Sequence, residues 1–278
     1  MKINIRQTPG LALVFVSWAF VFTACEKKAE QELPDRKYEL TWSDEFNDSL
    51  GTSPDSTHWN YDIGTGNNGW GNAELQYYTN RPANVKMDGA GNLVITARSE
   101  SFSGSGFTSA RIKTKGLFTQ KYGRFEARIK TPTGPGIWPA FWMLGSNIDE
   151  VPWPQCGEID IMEQRGQEPQ ITHGTLHGPG YSGGAAITKG YTLPNGRFDN
   201  DFHIYAVEWG DGFVDFFVDN YLYNRITSKD VTGEWVYDHP FFLILNVAVG
   251  GNFVGFPTTG TPFPQSMYVD YVRVYQQQ

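Results

Sequence analysis

The residues Gly157-Glu158-Ile159-Asp160-Ile161-Met162-Glu163 carry the most concentrated chemistry in the chain. Glu158 and Asp160 alternate with Ile159 and Ile161, so on a β-strand both acids face one side and both isoleucines the other. Strict alternation would then turn Glu163 into the apolar side, where an unpaired carboxylate is costly. One extra residue near Met162, a β-bulge, returns Glu163 to the acid side. Glu158 and Glu163 would then stand four strand steps apart, roughly 13 Å between Cα atoms at ~3.3 Å per step. Side chains leaning together close roughly 4 Å each, which leaves about 5–6 Å between the carboxyl groups. Two carboxyls ~5–5.5 Å apart suit double displacement at a glycosidic carbon, whereas ~6.5–9.5 Å suits inversion, so the spacing leans towards retention.

Three acids this close cannot all ionise freely. At least one must hold its proton above the usual carboxylate range, which is what a general acid needs. Asp160, the shorter acid between the two glutamates, could share a proton with a nucleophile and hold it in place, and the titration then belongs to the cluster. Taken alone, the segment is explained as readily by an acidic strand face in solvent. Clustered carboxylates also suit Ca²⁺. The flanking sequence has to decide.

The elements that would position these acids are strands. In Gly123–Lys130, Phe125, Ala127 and Ile129 share one face and the charges the other, and Leu93–Arg98 alternates in the same way. Phe213–Val218, Asp219-Asn220 and Tyr221–Ile226 read as a hairpin closed by a two-residue turn. Further strands are expected at Phe202–Trp209, Phe241–Val249 and Tyr268–Tyr275. No window sustains a helical period, and the 31 Gly and 16 Pro concentrate between the alternating runs. The expected class is all-β, a sandwich of antiparallel sheets.

Residues 1–24 read as an export signal. Lys2 and Arg6 precede an apolar run from Leu11 to Ala24, and fourteen residues span ~21 Å as a helix, short of a ~30 Å bilayer core. Phe22-Thr23-Ala24-Cys25 is similar to a bacterial lipobox, which makes Cys25 the expected lipidation site; ordinary cleavage nearby is the alternative. Residues 25–37 are charged and aperiodic and read as a tether to a domain over 38–278. With Cys25 lipidated, Cys156 has no disulfide partner and is expected to be buried filler beside the acidic strand. The net charge is -8 for the whole chain and -10 once Lys2 and Arg6 are removed, which disfavours nucleic acid and sulfated polymers but not a neutral polysaccharide. Aromatics at 15% would serve sugar stacking, although most of the Phe residues are expected in the core.

Glu158-Ile-Asp-Ile-Met-Glu163 resembles the catalytic signature of glycoside hydrolase family 16, in the bulged form of its laminarinase (endo-1,3-β-glucanase) branch. The resemblance extends over nearly all of 38–278. It includes Trp42–Phe46, Gly69–Tyr78, Gly136–Leu144, His173–His177, Phe202–Trp209, Leu245–Asn252 and Val269–Tyr275, in that order. It implies a concanavalin A-like β-jelly-roll of two curved antiparallel sheets with an open concave cleft. Glu158 would be nucleophile, Glu163 general acid/base and Asp160 their helper, acting without a catalytic cofactor. Trp138, Trp142, His177, Asn72, Glu74 and Arg111 match residues that contact substrate; a solvated strand charge is the rival reading for Arg111. His173 and His203 are read as structural. Glu45, the Gly91 carbonyl and Asp270 match a structural calcium site of many members.

The sequence departs from the branch at Ala73, where a second Asn is common, and at Phe253, where Trp is common. The expected substrate is a β-1,3 or mixed β-1,3/1,4 glucan. The expected protein is an exported monomer, lipid-anchored at the outer membrane, the cell surface or the periplasmic face. A lectin-like binding sandwich and a relative acting on another polysaccharide, such as agarose, are the alternatives.

Overall fold

The computed structural model describes residues 35–278. The expected signal, Cys25 and most of the expected tether lie outside the described residues. In chain order the strands are β1 (Tyr38–Asp44), β2 (Asn60–Asp62), β3 (Gln76–Tyr78), β4 (Val85–Met87), β5 (Leu93–Phe102), β6 (Ser105–Ser109), β7 (Arg111–Lys113), β8 (Gly123–Lys130) and β9 (Ile137–Gly145). They continue as β10 (Glu158–Glu163), β11 (Ile171–His177), β12 (Ile187–Thr192), β13 (His203–Gly210), β14 (Phe213–Val218), β15 (Tyr221–Thr227), β16 (Phe241–Val249) and β17 (Gln265–Gln277). The only helical pieces among the described residues are the short turns Gly69–Ala73 and Gly183–Ala185.

The strands form two sheets. The front sheet has the order β12-β11-β10-β9-β16-β7-β2, with the acidic strand β10 third, beside the central β9. The back sheet has ten strands in the order β15-β14-β13-β8-β17-β5-β6-β3. The long β17 also takes β1 beside its second half, and β5 also takes β4. Pairing is antiparallel throughout except between β3 and β6. Period-2 alternation generates this layering. Phe125, Ala127 and Ile129 of β8 are fully buried, as are Ile137, Phe141 and Met143 of β9 and Leu243, Leu245 and Val247 of β16, and all join one core between the sheets. The expected hairpin is present. Asp219 and Asn220 have φ of 49° and 64°, the left-handed pair that a two-residue turn of matching twist requires.

The start of the domain differs from the sequence expectation. Arg36, assigned to the tether, is held against the back sheet. Its Nη1 lies 2.5 Å from Glu208 and 3.0 Å from the fully buried Asp215, and its guanidinium stacks 4.4 Å above Phe213. Lys37 closes the edge by accepting a hydrogen bond from the Gln278 backbone. The charged run therefore contains structural contacts that its polarity does not reveal.

Candidate active site

The bulge forms. Asp160 pairs with Trp142 on β9, yet Met162 pairs with the very next residue down, Phe141. On β11, Asp160 faces Thr175 and Glu163 faces His173, so Ile161 and Met162 together stand opposite Gly174. Both of these side chains enter the core. Two consecutive inward residues reset the alternation, and Glu163 emerges on the same outer face as Glu158 and Asp160. Gly174 makes the space behind the bulge. A Cβ there would lie 2.4 Å from the Tyr223 hydroxyl and 2.5 Å from the Phe216 ring.

Neighbouring strands supply the surroundings. Trp138 and Trp142 share the outer face of β9, as their spacing implies. The Trp138 indole donates to Glu163 Oε1 at 3.1 Å, and the Trp142 indole donates to Asn246 Oδ1 at 2.8 Å. Thr175 Oγ1 donates to Glu163 Oε2 at 3.3 Å. His177, directly across from Glu158, brings Nε2 to 3.2 Å from Asp160 Oδ2 and 3.6 Å from Glu158 Oε1. Its Nδ1 accepts the Gly183 backbone N–H at 3.1 Å, so in the neutral ring the proton sits on Nε2, facing the acids.

Burial governs the charge of this cluster. Glu158 is pushed up to about 8, first by burial and then by Asp160. Burial also raises Asp160 well above the carboxylate range, with Glu163 adding repulsion and a hydrogen bond to Glu158 opposing the rise. Glu163 is raised by burial against the pull of His177, Thr175, Trp138 and Arg165. All three acids are raised by burial, and at this spacing their protons belong to the cluster as a coupled set. Cys156 is fully buried beside them, and its thiol is raised to about 11 by burial and by Glu158, which leaves it an inert filler.

Glu74 and Arg111, expected as substrate contacts, take a different place. Their side chains are only 3% and 8% exposed and lie 3.4 Å apart. Glu74 also accepts from Gln76 at 2.6 Å and from Tyr78 at 3.1 Å. The Arg111 guanidinium lies 4.7 Å from the Trp70 ring and 5.5 Å from the Trp142 ring. Solvated strand charge is excluded for Arg111. The pair forms a buried ionic post against which two tryptophans rest. Asn72 is half-buried, and its carbonyl accepts the Asn252 N–H at 2.8 Å. The adjacent Ala73 has φ of 58°, a left-handed conformation that Asn tolerates better than Ala does.

His203 pairs with Asp219 at 2.6 Å in the back-sheet hairpin, away from the acids. His173 is more involved than its structural reading implied. It stands across from Glu163, its ring meets Phe253 edge-on at 5.6 Å, its buried Nε2 has no partner, and burial lowers its pKa. Phe253 in turn packs 5.2 Å from Trp138 and lies under the Arg165 guanidinium at 4.3 Å. The smaller ring thus keeps the aromatic wall continuous.

The proposed calcium ligands face arginines. Both oxygens of Glu45 are held by Arg273 at 2.9 and 2.8 Å, and Asp270 Oδ2 lies 2.5 Å from Arg128. On the front face, Glu158, Asp160 and His177 have ligand atoms within 4.8 Å of one another. The proton on His177 Nε2 argues against a metal there, because coordination at that nitrogen would require the ring to give up the Gly183 contact or ionise further.

Residues 71–272 match the model of glycosyl hydrolases family 16. The chain belongs to this family. It is 39% identical to a beta-glucanase of Rhodothermus marinus over 99% of this chain and 96% of that protein. The laminarinase catalytic domain of Thermotoga maritima superposes with a TM-score of 0.81 at 50% identity, covering 87% of this chain and 99% of that one. The endo-β-1,3-glucanase of Pyrococcus furiosus gives 0.83 at 46% identity, covering 89% and 98%. The two-sheet architecture is therefore the family's jelly-roll, and the protein is a glycoside hydrolase that needs no catalytic cofactor.

The raised acids have a thermodynamic consequence. Glu158 binds its proton more tightly in the folded chain, so its burden on stability is absent below the ordinary 4.5, grows as pH rises, and is complete above about 8. Glu158→Gln removes it. The variant is expected to melt several degrees above the parent at pH 9 and to match it near pH 4. A difference of the same size at both pH values, measured by calorimetry, would contradict the charge assignment.

Proposed function

We propose that this protein is an endo-acting, retaining β-glucanase that hydrolyses internal β-1,3 bonds of laminarin-type glucans, with activity on mixed β-1,3/1,4 chains where their β-1,3 linkages allow it. The observation that carries the reading is the bulged β10 strand, which sets Glu158, Asp160 and Glu163 on one face among Trp138, Trp142 and His177. The family relatives named for β-1,3-glucan hydrolysis support the substrate.

In this mechanism a carboxylate oxygen of Glu158 attacks the anomeric carbon as the glycosidic C–O bond breaks. Glu163 delivers its proton to the departing oxygen. Burial raises its pKa, which favours the proton-bearing form, and the Trp138 indole and Thr175 hydroxyl fix its two oxygens. Glu163, now ionised, takes a proton from water. The water oxygen attacks the same carbon and releases Glu158, restoring the starting configuration. Asp160, raised well above the carboxylate range by burial, is the helper that shares its proton with Glu158, so that Glu158 can carry the negative charge required for attack. Trp142 and the half-buried Asn72 face the substrate, while Glu74 and Arg111 position Trp70 and Trp142 from below. A binding-only sandwich would have no use for three acids raised together.

The reading includes export and anchoring by lipid at Cys25 at the cell surface or the periplasmic face of a membrane, supported by the apolar run and the lipobox-like residues before Cys25. A calcium ion at Glu45, Gly91 and Asp270 has weaker support, because the ion would have to take Glu45 from Arg273 and share Asp270 with Arg128.

Product analysis tests the activity. The wild type is expected to release short oligosaccharides from laminarin, and Glu158→Gln to lose about 10⁴-fold or more in turnover while still binding laminarin oligosaccharides. Turnover of agarose alone would overturn the substrate. Anchoring predicts that the full chain partitions into detergent and that Cys25→Ser partitions into water; equal partitioning refutes it. Calcium added to chelator-treated protein should leave the melting temperature unchanged if the arginine pairs hold that face, and a calcium-dependent rise would establish the ion.

A further inference from the structure

His177 ends β11, and the chain turns through residues 178–186 before β12 begins. This turn is more firmly built than its glycines suggest. Gly178 and Tyr181 exchange both backbone hydrogen bonds, at 3.1 and 3.0 Å. The Tyr181 ring folds back over Gly178, where a Cβ would lie 2.3 Å from the hydroxyl oxygen. That ring is buried, and its hydroxyl donates to the Glu234 carbonyl at 2.8 Å. The Thr232 hydroxyl donates to the Gly180 carbonyl at 3.2 Å, and the Tyr237 hydroxyl donates to the His177 carbonyl at 2.9 Å. The segment 232–237 thus holds the turn at three points. What the turn presents to the site is the Gly183 N–H, 3.1 Å from His177 Nδ1.

The other ring nitrogen decides the sign of an interaction at the acids. His177 Nε2 stands 3.2 Å from Asp160 Oδ2 and 3.6 Å from Glu158 Oε1. Among the described residues, no group completes a hydrogen bond to this buried Asp160 oxygen. An N–H at Nε2 attracts both carboxyls and can close onto Asp160. A lone pair there would face two acids and repel any charge they carry. A neutral imidazole can take either form, so the choice falls to the partner of Nδ1.

We infer that the turn after β11 selects the histidine tautomer for catalysis: Gly183 is a positioning residue whose N–H occupies Nδ1 and thereby keeps a donor at Nε2, beside Glu158 and Asp160. This rests on the double-displacement reading above. The donor supports the attacking anion in a place where burial opposes it. Tyr181 and Tyr237 act one step further back, by holding the turn in register with the ring.

Nitrogen NMR of enzyme labelled with ¹⁵N-histidine reads the tautomer, and His177→Gln assigns the signal among the five histidines. The neutral ring of the unsubstituted enzyme is expected to carry its proton on Nε2. A proton on Nδ1 overturns the inference without any variant. Gly183→Pro deletes the N–H at an exposed position. It should let the ring populate the Nδ1–H form and lower kcat on laminarin about tenfold or more, the scale of one hydrogen bond to a charged group, with KM within about twofold. His177→Gln offers an amide donor at the reach of Nε2 that needs no tautomer. Adding Gly183→Pro to His177→Gln should leave kcat within about twofold of His177→Gln alone. A tenfold loss in both backgrounds makes the turn scaffold only and overturns the inference, as does wild-type kcat in Gly183→Pro. If the unsubstituted enzyme does not cleave laminarin, the fault lies in the double-displacement reading, and the NMR spectrum still decides the tautomer.

Discussion

The site depends on a conflict between the period of a β-strand and the cost of burying a carboxylate. A regular strand cannot place Glu158, Asp160 and Glu163 on one face, because the step from 160 to 163 is odd. Keeping the period would bury Glu163 between the sheets, where no donor is expected. The chain instead turns both Ile161 and Met162 inward, opposite a glycine, and the third acid reaches Trp138 and Thr175. The extra apolar residue is part of the compensation. Burying two side chains where alternation would bury one adds apolar contact to the core at the position where ladder pairing is disturbed.

The surroundings of the bulge are arranged to tolerate that geometry. Gly174 carries no side chain because the Tyr223 hydroxyl and the Phe216 ring come up to the strand from the back sheet. Trp142 is fixed at its N–H by Asn246 and at its face by Arg111, whose own charge is neutralised by Glu74 beneath the surface. A buried guanidinium is costly unless paired, and the pairing explains why Glu74 remains close despite its raised pKa. The aromatic surface of the front sheet is therefore supported from beneath by paired polar groups.

Much of this was legible in the sequence. Alternation gave β8, β14 and β16 with their observed bounds, and the odd spacing in β10 required the bulge before any contact was known. The limits were physical. Glu74 and Arg111 were recognisable as part of the site, but strand spacing does not report depth, and only the packed structure shows them buried and paired. Arg36 looked like tether because its partners, Glu208 and Asp215, are 172 and 179 residues away. His173 was distinguishable from His177 only through the opposing strand: Glu163 faces one and Glu158 the other.

The two outer faces treat charge in opposite ways, and the contrast locates the chemistry. On the back sheet, Glu45, Glu126, Glu208, Asp215 and Asp270 are each matched by an arginine from the sheet or from the segment leading into it. On the front sheet, Glu158, Asp160 and Glu163 have no arginine or lysine within ion-pair distance among the described residues; Glu158 and Asp160 share His177 as neighbour, and Glu163 accepts from the neutral Trp138 and Thr175. A chain carrying this many arginines could have neutralised the front face as it did the back. Leaving it unpaired sacrifices stability above the carboxylate range, and in return protons remain on acids at a pH where ordinary carboxylates have lost them.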